Sequence, residues 1–138
     1  MSGVDRLLAQ ARLGLRRVDP HQAKQIGDDG GLLIDIRPAA QRAEFGEIPG
    51  ALIVERNNLE WRLDPGGSHR LPEAENPDRP VVIICQEGYA SSLAAASVIG
   101  VGRTAVTDLE GGFAAWKRAG LPTTPGSRDW SPRGSGSG

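Results

Sequence analysis

Val81-Val-Ile-Ile-Cys-Gln-Glu-Gly-Tyr-Ala-Ser-Ser-Leu-Ala-Ala-Ala-Ser-Val-Ile-Gly100 reads as a strand, a loop and a helix in one stretch. Val81 to Ile84 is a β-branched run without a polar member, which suits a strand covered on both faces of a parallel sheet. The alanines of Ser91 to Ile99 favour a helix, and Gly100 supplies its stop. Between them sits Cys85, with Gly88 permitting a tight curl. Ligand sites of open parallel sheets lie beyond the carboxyl ends of the strands, which is where Cys85 falls. The backbone N–H groups of Gln86, Glu87, Gly88, Tyr89, Ala90 and Ser91, with the start of the helix, can point at one anion there and stabilise a thiolate or persulfide. The plainer reading of Cys85 is a small apolar residue buried at a strand end.

The same alternation continues on both sides. Upstream, Asp19-Pro20 is an N-cap followed by proline at the first helical position, and that helix stops near Gly27. Leu32 to Ile36 follows as a strand ending at Asp35-Ile-Arg37. A polar helix is expected from about Pro38 to Phe45, a short strand over Ala51 to Val54, and a helical turn or two between Asn57 and Leu63. Asp64 to Ser68 and Pro72 to Pro80 form a polar surface connection. Downstream, Thr104 to Thr107 is a strand, Gly111-Gly112 a turn, and Phe113 to Ala119 a helix closed by Gly120 and Pro122. Strands alternating with helices imply one α/β domain with a parallel sheet over 17–122. Residues 1–16 hold an amphipathic helix, with Val4, Leu7, Leu8, Ala11 and Leu15 at helical spacing and a structural role expected. From 123 to 138 the Pro, Ser and Gly content predicts a flexible tail.

The chain has 138 residues, enough for one core. With 16 basic and 17 acidic side chains its net charge is −1, which disfavours nucleic acid and anionic membranes as partners. No apolar run approaches the roughly 20 residues that span a bilayer, and the N-terminus lacks a signal-type core, so a cytoplasmic location is expected. A lone cysteine excludes an internal disulfide and a Cys-x-x-Cys pair. His21 and His69 share no ligand spacing with it, so neither a metal site nor a cofactor is implied.

Asp35-Ile-Arg37, Gly46-Glu-Ile-Pro-Gly-Ala51, Cys85-x-x-Gly88 and Leu109-Glu-Gly-Gly-Phe-x-x-Trp116-x-x-x-Gly120-Leu-Pro122 follow one another in an order and spacing that resembles rhodanese domains. The resemblance covers roughly residues 17–122. It implies a three-layer α/β/α fold around a central parallel five-stranded sheet. It further implies sulfurtransferase activity, in which Cys85 accepts a sulfane sulfur from thiosulfate or a persulfide and passes it to a thiol, a protein thiol included, or to cyanide. The family's Asp-x-Arg pair more commonly ties a strand end to neighbouring loops, while Arg37 is also a candidate for facing the anion. Trp116 is expected in the core, and Trp61 is left open. Ser91 and Ser92 either cap the following helix or donate to a bound oxyanion.

Two residues depart from the family pattern. Many active loops read Cys-x-x-Gly-x-Arg-Ser, whereas Ala90 stands at the arginine position and Glu87 adds a carboxylate; Glu47 stands where histidine is frequent. Two rival functions follow: a non-catalytic binding or sulfur-sensing module, and a cysteine phosphatase or arsenate reductase. The second needs an arginine six residues after the cysteine, where this chain has Ser91. A missing charge-assisted contact of about 1.5–3 kcal/mol weakens binding of a dianion by roughly ten- to hundred-fold. A persulfide donor is therefore expected to give a higher kcat/KM than thiosulfate in steady-state assays, and the reverse order would refute this reading of Ala90 and Glu87.

Overall fold

A computed structural model describes residues 1–126 of the chain. Strands β1 (Leu32–Asp35), β2 (Leu52–Ile53), β3 (Val81–Ile84) and β4 (Val106–Asp108) form a parallel sheet in the order β2-β1-β3-β4. The helices are α1 (Gly3–Arg12), α2 (Pro20–Asp28), α3 (Ala39–Phe45), α4 (Leu59–Leu63), α5 (Ala90–Gly100) and α6 (Gly112–Arg118). β1 and β3 are buried along their whole length, which is why neither shows polar alternation. Successive side chains of a strand point to opposite faces. Leu32, Ile34, Val81, Ile83 and Cys85 therefore join Leu59, Leu63, Ala94, Ala95 and Val98 in a core beneath α4 and α5. Leu33, Val82 and Ile84 join Ala23, Phe113 and Trp116 in a second core beneath α2 and α6. The three-layer architecture expected from the family resemblance is thus present, with Cys85 in phase with the α5 side of β3.

The described sheet has four strands and not the five implied by the resemblance. At the outer side of β4 a single parallel bridge, Val18 to Leu109, takes the place of a further strand. The Val18 N–H donates to the Asp108 carbonyl at 3.2 Å, and the Glu110 N–H donates to the Val18 carbonyl at 2.9 Å. The pairing goes no further because the next residue, Asp19, caps α2, and Pro20 has no N–H to give. β4 also begins two residues later than expected. Gly102 turns the chain at φ +112°, and Arg103 dives inward, donating to the carbonyls of Ala74 at 2.9 Å and Asn76 at 2.8 Å. This buried guanidinium ties the long connection between α4 and β3 to the sheet.

The N-terminal helix and the segment just beyond Pro122 both lie against the domain. α1 packs on α5, but Val4 and Leu7 of its apolar stripe stay more than half exposed, because contact is made through the far half of the helix, from Leu8 onwards. Beyond Pro122, Thr124 and Glu47 exchange two backbone hydrogen bonds of 2.8 Å, so the first residues of the expected tail lie against the start of the Glu47 loop. The remainder of that tail, 127–138, lies outside the described residues. Trp116 is buried and its indole N–H donates to the Pro122 carbonyl, whereas Trp61 is exposed. No helix among the described residues is long and apolar enough to cross a membrane. Truncating Ile83, fully buried in the central strand, to alanine is expected to cost about 2–5 kcal/mol, read as a lower urea midpoint at unchanged slope.

Candidate active site

β3 ends at Ile84, and the chain curls so that Cys85 meets the start of α5. Its Sγ accepts the N–H of Gly88 at 3.1 Å and that of Ser91 at 3.3 Å. The curl needs φ +89° at Gly88, where a Cβ would stand 2.6 Å from the Gly111 nitrogen. Ser91 is the second residue of α5, a helix with no side-chain cap, so the cysteine sulfur takes the capping place itself. Two amides and the positive end of an eleven-residue helix face one sulfur, an arrangement that solvates negative charge on it. The structure places the N–H groups of Gly88 and Ser91 on Sγ, and not those of Gln86, Glu87, Tyr89 or Ala90. Glu87, Tyr89 and Ala90 are exposed around it. Cys85 itself is 7 % exposed, so only the slim end of a reagent reaches the sulfur.

The loop is also fastened from the other side, through its carbonyls. The Phe113 N–H donates to the Cys85 carbonyl at 2.8 Å, and the Ala114 N–H to the Gln86 carbonyl at 3.0 Å. Both donors belong to the first turn of α6, brought close by the Gly111-Gly112 turn. At Gly112, φ is +62° and a Cβ would lie 2.5 Å from the Cys85 carbonyl oxygen. The Gly88 carbonyl accepts two guanidinium bonds, from Arg12 Nη2 at 2.9 Å and Arg17 Nη2 at 2.7 Å.

Asp108, at the end of β4, is the buried anion behind the loop. It accepts the Ser91 and Ser92 hydroxyls at 2.7 and 2.8 Å and a two-point grip from Arg17 at 3.0 and 3.2 Å. Arg12 Nε donates to Ser92 Oγ at 2.9 Å. The two serines therefore neither cap α5 nor turn toward an anion at Cys85, as the sequence reading had them do; a buried carboxylate needs donors, and both hydroxyls supply them. Arg37 is fully buried. It grips Asp35 through Nε and Nη2, donates to the Gly46 carbonyl at 2.8 Å and lies 4.2 Å above the Phe113 ring. It meets the Cys85 loop only through the side chain of Gln86, at 2.9 Å, and so joins strand end to loops. The Glu47 carboxylate sits 3.9 Å from Arg42. A cleft of about 530 Å³ opens beside the loop, lined by Gln86, Glu87, Phe45, Phe113, Lys117 and Arg118 among others.

Arg12, Arg17 and Asp108 went unread in the sequence. Their bonds to the loop and to each other span 71 to 91 residues, and no local spacing announces them.

Comparison with known proteins identifies the frame around this loop. The family model described as Rhodanese-like domain matches residues 19–119. The chain belongs to that family. Among curated relatives of this rhodanese-like domain, the thiosulfate sulfurtransferase GlpE of Ectopseudomonas mendocina is 31 % identical over 116 residues, covering 83 % of this chain and 96 % of the relative. GlpE of Pseudomonas syringae is 29 % identical over 102 residues, covering 74 % and 87 %. Among solved structures, a protein of unknown function from Rhodopseudomonas palustris, described as a possible tyrosine phosphatase, superposes with a TM-score of 0.80 at 29 % identity, covering 89 % of this chain and 95 % of its own. Arg12 and Arg17 precede the matched segment.

If α6 aims the cradle, disturbing its first turn disturbs the cysteine. Gly112→Ala, which meets both the left-handed φ and the close carbonyl, is expected to cost about 1–3 kcal/mol in thermal unfolding and to slow modification of Cys85 by a small electrophile.

Proposed function

We propose that the protein is a sulfurtransferase in which Cys85 carries the transferred sulfur as a persulfide. The observation that carries this reading is a single cysteine sulfur held by two backbone N–H groups at the end of β3, in a chain similar to proteins named thiosulfate sulfurtransferase. The Cys85 thiolate attacks the outer sulfur of the donor. A new S–S bond forms at Sγ, the donor's S–S bond breaks, and its electron pair leaves with sulfite from thiosulfate or with a thiolate from a persulfide. The loaded terminal sulfur bears the negative charge, and a cradle built of N–H donors suits that charge without a metal or a cofactor. In the second half, an acceptor nucleophile attacks the terminal sulfur and the bond to Sγ breaks. Cys85 returns as thiolate, and the acceptor leaves as a persulfide, or as thiocyanate if it is cyanide. The chain has one cysteine, so the acceptor comes from outside. The partners proposed are a small sulfur donor and a thiol acceptor approaching through the cleft beside Gln86 and Glu87; a protein thiol carried on an exposed loop also fits.

The description of the R. palustris neighbour raises phosphate ester hydrolysis as a second reading. That chemistry stabilises a transferred phosphoryl group with an arginine inside the loop. Here Ala90 and Ser91 stand five and six residues after the cysteine, and the Ser91 hydroxyl is given to Asp108. Sulfur transfer is the better fit.

The test is intact mass spectrometry after exposure to thiosulfate or glutathione persulfide, with Cys85→Ser in parallel and a thiol or cyanide chase. Gain of one sulfur atom that requires Cys85 and is lost on the chase is the expected outcome. Absence of uptake from both donors by the folded, reduced protein would favour a binding module, and turnover of an aryl phosphate would favour the phosphatase.

A further inference from the structure

Resting on the sulfurtransferase reading, we propose that Arg12 and Arg17 are positioning residues for the Cys85 sulfur, which makes α1 part of the reacting unit. Gly88 stands at the centre of the argument. Its N–H donates to Sγ, and its carbonyl is taken at both lone pairs by Arg12 and Arg17. Arg12 reaches further: Nε holds Ser92 Oγ in the first turn of α5, so one side chain grips the segment on both sides of its second sulfur donor, Ser91. Its guanidinium also lies 5.8 Å from the centre of the Tyr89 ring, closing over the middle of the loop.

A mere staple of α1 onto the domain does not account for this. Two guanidiniums on one carbonyl repel each other, and each long side chain loses rotamer freedom. α1 buries no residue fully, so apolar contact alone does not dictate where Arg12 ends. The charges differ as well. Arg17 is matched by Asp108 and lies 3.9 Å from Glu110, whereas among the described residues Arg12 makes no ion pair with a carboxylate. Its charge stands against a loop that has alanine at position 90 and a carboxylate at Glu87. Of the other charged groups around the loop, Asp108 behind α5 is paired with Arg17 and Asp35 behind Gln86 with Arg37, while Lys117 and Arg118 of α6 line the cleft beside Gln86 and Glu87. Arg12 thus acts through Gly88 and Ser92: it holds the amides on the sulfur and adds uncompensated positive charge beside them.

Because the chain has one cysteine, its alkylation reports on Cys85 alone. The full-length protein, Arg12→Gln and Arg12→Lys would be alkylated with iodoacetamide across pH, with melting temperatures measured in parallel. Arg12 is the residue to change, since removing Arg17 leaves Asp108 without its partner. For Arg12→Gln the rate profile is expected to move to higher pH, with a roughly tenfold slower reaction at neutral pH and the high-pH limit retained. Arg12→Lys keeps the charge without the two-point grip and is expected to fall between. A Gln profile that superposes on the wild type, even with a lower melting temperature, would reduce Arg12 to a staple. A lower limiting rate at an unchanged midpoint would also overturn the proposal. Alkylation needs no sulfur donor, so these outcomes are independent of whether the wild type takes up sulfur.

Discussion

Two hydrogen bonds from the first turn of α6 to the carbonyls of Cys85 and Gln86 decide how the loop after β3 is folded. They fasten the start of the loop, and its next turn brings the N–H groups of Gly88 and Ser91 to Sγ. The Gly111-Gly112 turn allows α6 to approach that closely, and Gly88 lets the loop close over it. Sheet, helices and loop thereby present one sulfur to a set of donors that are in place before any substrate arrives. Such preorganisation is where an enzyme's electrostatic advantage resides.

Around that cradle the structure keeps opposite charges in separate, well-filled compartments. Asp108 is satisfied by two hydroxyls and Arg17 behind α5, and Asp35 by Arg37 behind β1. Each pair is costly to bury and is retained because its remaining valences bind backbone or hydroxyl groups that shape the loop. Arg103 does the same for the surface connection, using carbonyls in place of an acid.

The sequence made the central part of this plain. An all-β-branched run, a cysteine, a glycine and an alanine-rich helix describe β3, the loop and α5 with little else possible, and Asp19-Pro20 marks the start of α2 to the residue. Cys85 was legible because it stands where an apolar pattern breaks beyond a strand. Other features depend on partners far away in the chain. Ser91 and Ser92 look like caps to any local rule, and only the return of β4 brings Asp108 within reach of them. Arg12 looks like the polar side of a surface helix until α1 is docked on α5. The fifth strand vanished for a local reason that the family pattern masks: a proline helix begins immediately after Val18.

Since the N-cap residue of α5 offers no side-chain acceptor, the Cys85 sulfur is also a structural member of the helix. If Sγ gains a second sulfur, as the proposed transfer requires, its charge passes to the terminal atom and the amides of Gly88 and Ser91 face a different acceptor. On that proposal folding free energy and chemical state are linked quantities, because the empty and loaded forms would close the first turn of α5 on different acceptors.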